Sequence, residues 1–371
     1  MMMLLRNLSN IPGFTTSRRI VVIESDDWGS IRMPSQSAFD RLKANGVVLE
    51  GGDSTRYNRF DTLAGRADLD ALFNLLVGFR DSNGNHPVFT AVSLCANPDF
   101  EKIRESGFET YHLEPFVTTL KRYGREDAFE WWKSGRENRL FVPQFHGREH
   151  LNVAVWMRKL QSGDRDTRLA FDEGMWGFRN KNSNGINYQS AFDVEYSTDI
   201  ELQKQVIAGG LKLFEQLHGY KASFFVPPNG PFNRGLEEVS ADYGIRYLSA
   251  SKIQKEPLGE KKYKTSLHWV GQKNRHGQRY ITRNCFFEPG REGADWVDSC
   301  LREIEVAFRW RKAAVISSHR VNYIGAIDVK NRENGLRELE RLLSGILNRW
   351  PDVEFMTSDE LGNLMQKEIN T

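Results

Sequence analysis

The sequence predicts one α/β domain in which mainly parallel strands form a distorted (β/α)7-type barrel. Short apolar runs rich in β-branched residues alternate with longer amphipathic runs, which is the pattern of βα units. No low-complexity linker or internal repeat divides the 371 residues. The phosphate-binding patterns GxGxxG and GxxxxGK[ST] are absent, which disfavours the alternative, an open doubly wound nucleotide-binding sheet.

About seven short apolar runs are candidate strands, and several of them stop abruptly at polar residues. Periodicity near 3.6 residues marks the helices, as in the spacing of Leu69, Leu72 and Leu76. The predicted strands cover residues 19–24, 88–94, 140–145, 222–226, 245–250, 313–317 and 353–356. The predicted helices cover residues 35–45, 67–80, 149–160, 198–217, 237–243, 296–310, 334–350 and 358–365.

The domain organisation that follows is simple. Residues 1–17 are an N-terminal extension, and residues 18–366 form the barrel. A stretch near residues 162–195 is rich in charge and glycine, and it predicts a loop inserted into the barrel.

Composition excludes several classes of function. The 51 basic and 49 acidic side chains give a formal net charge of +2, which provides no field to attract nucleic acid. No run of about twenty apolar residues predicts a membrane span. Three cysteines without a CxxC pair indicate neither a disulfide framework nor a zinc knuckle. The first residues do not resemble a signal peptide, so a cytoplasmic location is expected. The sequence does not determine the oligomeric state.

Polar residues suited to metal chemistry stand where predicted strands end. Asp26 and Asp27 follow the first strand, His146 and His150 follow the third, and His319 follows the run at 313–317. Because the carboxyl ends of parallel strands gather on one face of a barrel, we expect these five side chains to converge.

The pattern HGREH contains two histidines four residues apart. At the start of a predicted helix, this spacing places the imidazoles of His146 and His150 on one face, where both could bind one metal ion. The alternative is a chance pair of surface histidines.

Adjacent carboxylates at a strand end repel each other unless a cation compensates them. A divalent metal would do so, with one of Asp26 and Asp27 as ligand and the other free to act on water. The alternative is a helix N-cap beside a solvated acid. His319 is either a structural histidine or a proton donor to a leaving group.

Four motifs in this order resemble those of the polysaccharide deacetylases with NodB homology, carbohydrate esterase family 4, over roughly residues 18–365. ESDDW is similar to the family motif TFDDG, and HGREH is similar to H-[ST]-x-x-H. VPPNG at residues 226–230 resembles R-x-P-[YF]-G, and SSH at residues 317–319 resembles L-x-H. The family fold is a distorted (β/α) barrel of about seven strands.

The resemblance implies metal-dependent hydrolysis of an acetyl group, foremost N-acetyl, from a sugar, a polysaccharide or its biosynthetic precursor. It implies Asp27, His146 and His150 as ligands of a divalent metal, foremost zinc, with cobalt and nickel as alternatives. It assigns Asp26 as the base that takes a proton from water and His319 as the acid that protonates the leaving amine. The backbone N–H of Asn229 is expected in the oxyanion hole.

The sequence departs from the family pattern at several positions, one of which is Asn229, where the family has an aromatic residue. Val226 replaces the arginine that orients the base, and Arg148, Arg283 and Arg320 are open candidates to substitute for it. Gly147 stands where the family has Ser or Thr.

Other residues are candidates for contact with the substrate. Trp28, Asn284 and Glu288 are expected in the pocket, while Trp176 and Phe232 either stack on a sugar or pack in the core. Two other functions remain: a carbohydrate-binding barrel that has lost catalysis, and a metallohydrolase that cleaves a non-sugar amide.

Overall fold

The computed structural model describes residues 7–52 and 54–369, and its centre is a curled, mainly parallel β-sheet. Within those residues, nine strands form this sheet and two antiparallel pairs lie outside it. The strands in chain order are β1 (Ile20–Trp28), β2 (Phe89–Leu94), β3 (Ala96–Pro98), β4 (Leu113–Pro115), β5 (Phe141–Gly147), β6 (Phe224–Phe225), β7 (Tyr247–Ser249), β8 (Ile253–Gly259), β9 (Lys262–Leu267), β10 (Arg279–Ile281), β11 (Cys285–Phe286), β12 (Ala314–His319) and β13 (Glu354–Met356).

Strand β1 lies in the middle of the sheet. The hydrogen-bonded order is β10-β7-β6-β5-β2-β1-β12-β11, and β13 pairs with the first residues of β1. These pairings are parallel, so the carboxyl ends of the strands meet at one edge. The predicted distorted barrel of mainly parallel strands is confirmed.

The two ends of the sheet are joined by a short piece of chain. Residues 282–284 connect β10 to β11, which are the outermost strands of the hydrogen-bonded path. Asn284 fastens this link to β12, because its Oδ1 accepts the N–H of Val315 at 2.8 Å and its Nδ2 donates to the Ala313 carbonyl at 3.0 Å. We call residues 282–284 the closing link.

Helices alternate with the strands and supply apolar faces to the core. Leu339, Leu342 and Leu343 of one helix share a cluster with Val21 and Ile23 of β1. The helices are α1 (Gln36–Ala44), α2 (Ser54–Phe60), α3 (Arg66–Leu76), α4 (Phe100–Glu105), α5 (Phe116–Arg122), α6 (Ala128–Glu137), α7 (Val153–Gln161), α8 (Arg165–Asp172), α9 (Asp199–His218), α10 (Glu237–Asp242), α11 (Trp296–Arg309), α12 (Val329–Arg349) and α13 (Ser358–Ile369). Among the described helices, none combines the length and the apolar character that a membrane span needs.

Several predicted boundaries are wrong, among them the start of α12, which lies at Val329 and not at residue 334. Strand β1 continues through Asp26 and Asp27 instead of ending before them, since β12 pairs with it as far as Asp26. The helix expected from residue 149 begins at Val153, after Asn152 caps it by accepting the N–H of Val155. The expected loop near 162–195 contains helix α8, whereas residues 173–198 are irregular.

The prediction that Trp28 contacts a substrate is also wrong. Its side chain is 1% exposed, and its ring packs edge-on against Phe141 and Trp132 in the core. Its indole N–H donates to Ser25 Oγ at 3.0 Å. The other two aromatic candidates, Trp176 and Phe232, are likewise buried in apolar clusters, in agreement with ordinary core packing.

Candidate metal centre

A β-bulge brings both aspartates of β1 into one cavity. Side chains alternate along a strand, so Asp26 and Asp27 would ordinarily face opposite sides of the sheet. The pairing of β1 with β2 shifts by one residue between Ser25 and Trp28, and Asp27 takes a φ of +75°. Both carboxylates consequently line the same pocket. Positive φ at a residue other than glycine is strained, and such strain concentrates at functional sites.

Asp27 faces two imidazoles. Its Oδ1 lies 3.1 Å from His150 Nε2 and 3.3 Å from His146 Nε2, and all three side chains are buried. The candidate ligand atoms lie within 4.8 Å of one another, and in the described residues no other group of three His, Cys, Asp or Glu side chains comes so close. The structure therefore brings the three predicted metal ligands together.

The donor set fits a metal ion. His146 Nδ1 lies 2.7 Å from the Val226 carbonyl, to which it can only donate, so the neutral ring presents an unprotonated Nε2 to the cavity. Asp27 Oδ1 and His146 Nε2 are buried and have no hydrogen-bond partner among the residues that the structure describes. Burial of such atoms without a partner is unfavourable, and a divalent cation would satisfy both.

The ionisation of the three groups also suits metal binding. Burial alone would raise the pKa of Asp27, but the positive charge that His150 and His146 carry when protonated lowers it well below its ordinary value, and a metal cation at the same place would act in the same direction. Burial lowers the pKa of His150 and so favours the neutral ring, which is the form that binds metals.

The two histidines do not share a helix, so that part of the prediction is wrong. His146 belongs to β5, and His150 follows in a turn before α7 begins. Gly147 has a φ of +142°, where a Cβ would approach the Glu149 carbonyl to 3.2 Å. This conformation favours glycine over the Ser or Thr of the family motif, and it bends the chain so that His150 reaches the site.

Arg283 of the closing link holds Asp26. Its Nη1 and Nη2 donate to the two oxygens of Asp26 at 2.7 and 2.6 Å, and its Nε donates to Glu24 Oε2 at 2.5 Å. Ser358 Oγ donates to the other oxygen of Glu24 at 2.7 Å. Among the three candidate arginines, Arg283 is therefore the one that contacts Asp26.

The other two candidate arginines have different partners. Arg148 pairs with Glu149 at 2.7 Å, and Arg320 pairs with Asp61 at 2.6 Å. Burial alone would raise the pKa of Asp26, but Arg283, together with His146 and His319, outweighs burial and lowers that pKa. Asp26 is thereby kept as a carboxylate.

His319 stands beside Asp26 on the neighbouring strand. The two residues are partners in the β1–β12 register, and His319 Nε2 lies 3.8 Å from Asp26 Oδ2. His319 Nδ1 lies 2.5 Å from Glu288 Oε1. Burial alone would lower the pKa of His319, but Glu288, together with Asp26 and Asp27, outweighs burial and raises the pKa to about 9.

Glu288 was predicted in the substrate pocket, but it lies outside the cavity, against His319 Nδ1. It does not line the cavity but stands behind His319, where Arg56 Nη2 and Asn322 Nδ2 donate to its Oε2 at 2.5 and 3.0 Å. The predicted substrate contact is wrong for this residue. Asn284 does line the cavity, although its amide is engaged by β12 in the closing link.

The turn after β6 presents backbone to the cavity. Asn229 has a φ of +56°, a conformation that asparagine tolerates, and its side chain is exposed. In the described chain its N–H donates to no protein acceptor. The cavity has a volume of about 680 Å³ and includes Asp26, Asp27, both metal-site histidines, His319 and Asn229.

Sequence reasoning missed two residues of this site. Glu24 lies two positions before Asp26, and a strand period of two places both on the same side, so the spacing could have pointed to it. Ser358 begins α13 and reaches Glu24 across 334 residues, a contact for which the sequence gives no signal.

Comparisons with known proteins give similarities to solved structures alone. No family model matches the sequence, and no curated protein matches it. Among solved structures, a protein from Mycobacterium smegmatis, provisionally described as a polysaccharide deacetylase, is 11% identical with a TM-score of 0.46, over 96% of this chain and 93% of that one. A probable polysaccharide deacetylase from Pseudomonas aeruginosa PAO1 is 11% identical with a TM-score of 0.44, over 95% and 92% of the two chains. Puue allantoinase is 9% identical with a TM-score of 0.43, over 96% and 92%.

Removal of one imidazole tests the metal centre. We expect His146→Ala or His150→Ala to weaken zinc binding by roughly 100-fold or more, because two remaining ligands hold zinc poorly. Zinc content after dialysis and calorimetric titration measure this. His276→Ala, at a half-buried histidine outside the cavity, is the control and should bind zinc as the wild type does. Full zinc content in both site variants would contradict the assignment.

Removal of the guanidinium tests the charge balance beneath the site. Arg283→Met leaves Glu24 and Asp26 buried without their cation, so we expect the free energy of unfolding to fall by about 3–5 kcal/mol in urea titrations. The control is Arg302→Met, whose ion pair with Asp298 is half-exposed and should contribute less than about 1 kcal/mol. Equal losses in the two variants would mean that Arg283 does not stabilise the carboxylates.

Proposed function

We propose that this protein is a metal-dependent hydrolase that removes an acetyl group, foremost N-acetyl, from a sugar, a polysaccharide or its biosynthetic precursor. The observation that carries the proposal is the separation of roles between adjacent aspartates. Asp27 faces two imidazoles, whereas Asp26 is held by Arg283 and faces His319. One carboxylate is thus disposed to bind a cation and the other to accept a proton.

The metal would be held by Asp27, His146 and His150, and zinc suits one carboxylate and two imidazoles, with cobalt or nickel as alternatives. When bound, such an ion supplies Lewis-acid activation of water and of a carbonyl oxygen. The carbonyl of Val226 fixes the tautomer of His146 through Nδ1, so a hydrophobic residue suffices at that position.

Asp26 is the proposed general base. Arg283 occupies both of its oxygens, but an ionised carboxylate has further lone pairs that can accept a proton from water. The same guanidinium fixes the plane of the carboxylate, so the accepting lone pairs keep one direction in the cavity. Because Arg283 supplies this cation, the loss of arginine at position 226 gives no reason to infer a carbohydrate-binding barrel without catalysis.

His319 is the proposed general acid. A pKa raised to about 9 keeps its imidazolium populated at neutral pH, which a proton donor requires. Glu288 orients the ring through Nδ1 and leaves Nε2 directed to the Asp26 side of the cavity. The unpartnered N–H of Asn229 is the proposed donor to the oxygen of the tetrahedral intermediate.

Acetate release is the direct test, and the two aspartates should respond differently. Asp26→Asn should keep zinc and lose turnover of N-acetylated oligosaccharide by roughly 100-fold or more, because the positioned base is lost. Asp27→Asn should lower zinc affinity instead. Acetate release and zinc content are measured on the same preparations. The reverse pattern would exchange the two roles, and absence of acetate release from sugar and non-sugar amides alike would refute the proposal.

A comparison of leaving groups tests His319. His319→Ala should slow hydrolysis of an N-acetyl sugar far more than that of an activated aryl acetate, whose leaving group needs no proton. We expect a difference of about 10-fold or more between the two losses in kcat. Zinc content should stay at the wild-type level. An equal loss on both substrates would assign His319 a structural role.

A further inference from the structure

A second arginine lines the cavity without a hydrogen-bond partner. Arg32 is 4% exposed, and its side chain donates no hydrogen bond to any residue that the structure describes. The nearest carboxylate oxygen, Asp61 Oδ2, lies 3.7 Å from Arg32 Nε, which is beyond hydrogen-bond distance. The buried donor without a partner is the Nε–H, whose burial without an acceptor is costly, and the guanidinium carries four further N–H donors.

Asp61 is already engaged by another cation. Arg320 is fully buried, donates to Asp61 Oδ1 at 2.6 Å and also donates to the Ser30 carbonyl. Two buried guanidinium groups thus share the carboxylate of Asp61, and of the two only Arg320 lies within hydrogen-bond distance of it. An anionic group of a ligand would stabilise the buried guanidinium of Arg32, because a buried charge without a close partner is unfavourable.

The fold holds Arg32 in this position by packing. A Cβ on Gly177 would come within 2.6 Å of Arg32 Cγ and 3.0 Å of its Cδ, so this glycine makes room for the side chain. On another side the guanidinium carbon lies 4.7 Å from the centre of the Tyr57 ring, which also lines the cavity. The arginine is therefore held in place before any ligand arrives, which lowers the entropic cost of binding one.

The other cationic side chains of the cavity have protein partners. Arg283 is engaged by Glu24 and Asp26, and His319 is engaged by Glu288. Lys252 Nζ donates to Ser9 Oγ at 3.1 Å and to Asn10 Oδ1 at 3.3 Å. Arg32 is thus the cation of this cavity whose donors are left for a ligand, within the part of the chain that is described.

We propose that Arg32 binds an oxyanion group of the substrate, a carboxylate or a phosphate, so that the preferred substrate is an anionic sugar. This inference rests on the proposed function for the sugar part of the ligand. A guanidinium matches both groups, since its parallel N–H donors bind two oxygens of a carboxylate or a phosphate. Arg32 is a specificity-determining residue here and takes no part in the bond cleavage.

Calorimetric titration of the full chain after removal of zinc tests the proposal, because a bound metal would itself attract an anion. The probes share a hexose: glucuronate carries a carboxylate, glucose 6-phosphate carries a phosphate, and glucose is neutral. We expect at least one charged probe to bind about 10-fold or more tightly than glucose. The probe that binds better identifies the group as carboxylate or phosphate.

Variants assign the preference to a residue. Arg32→Gln should abolish the tighter binding of the charged probe relative to glucose, and Arg32→Lys should retain part of this preference. Lys252→Gln removes a cation of the same cavity that already has partners, and it should keep the preference. Equal binding of the three probes by the wild type would overturn the proposal, as would a preference that survives in Arg32→Gln or disappears in Lys252→Gln alone.

Two further controls keep the result interpretable. If Arg32→Gln does not fold, Gly177→Ala keeps the charge but displaces the side chain, and it should weaken the preference. Binding is measured on zinc-free protein with sugars that have no acetyl group. Failure of acetate release would therefore refute the proposed function without affecting the binding result. Equal binding of the three probes would refute only the role of Arg32.

Discussion

Compensation of buried negative charge at the end of β1 is the constraint on which the site depends. Glu24, Asp26 and Asp27 are all buried within four consecutive positions. Carboxylates so close together and so far from water cannot all ionise unless cations or proton donors face them. The chain supplies these from separate regions. Burial outweighs Arg283 at Glu24 and raises its pKa, while Arg283 keeps Asp26 ionised and two histidines face Asp27.

Because each carboxylate has different neighbours, Asp26 and Asp27 differ in charge compensation and in hydrogen bonding. Asp26 accepts two hydrogen bonds from one guanidinium, so its charge is fixed in place by a permanent partner. Asp27 faces only neutral or titrating rings, and its Oδ1 has no hydrogen-bond donor in the described residues. Residues with the same side chain and adjacent numbers thus differ because of what the fold places beside them.

The sequence was sufficient for the fold and for the polar residues at the strand ends. Apolar runs that stop at Asp26, His146 and His319 mark the carboxyl ends of parallel strands, and those ends converge in any barrel of this kind. The end of β1 was placed too early, because polar residues ordinarily leave the core, whereas these remain in a hydrogen-bonded strand.

Residues whose roles depend on distant contacts were harder to predict. Three arginines were candidates to hold Asp26, and only the fold shows that the closing link brings Arg283 there from 257 positions away. Glu288 was placed in the pocket, but its carboxylate turns away to His319 and Arg56. Trp28 follows the aspartates directly, yet the bulge turns its ring into the core, a reversal that strand alternation alone does not predict.

The closing link has a consequence for the order of folding. It joins the two outermost strands of the sheet path, and it also carries the only side chain among the described residues that donates to both Glu24 and Asp26. Contacts of such long sequence separation form late, after local helices and hairpins. Until then the acidic end of β1 lacks its guanidinium, which favours its hydration over its burial. The contact that joins the two ends of the sheet path and the contact that fixes the Asp26 carboxylate are accordingly made by the same three residues of chain, so a barrel without this link would leave that carboxylate without its guanidinium.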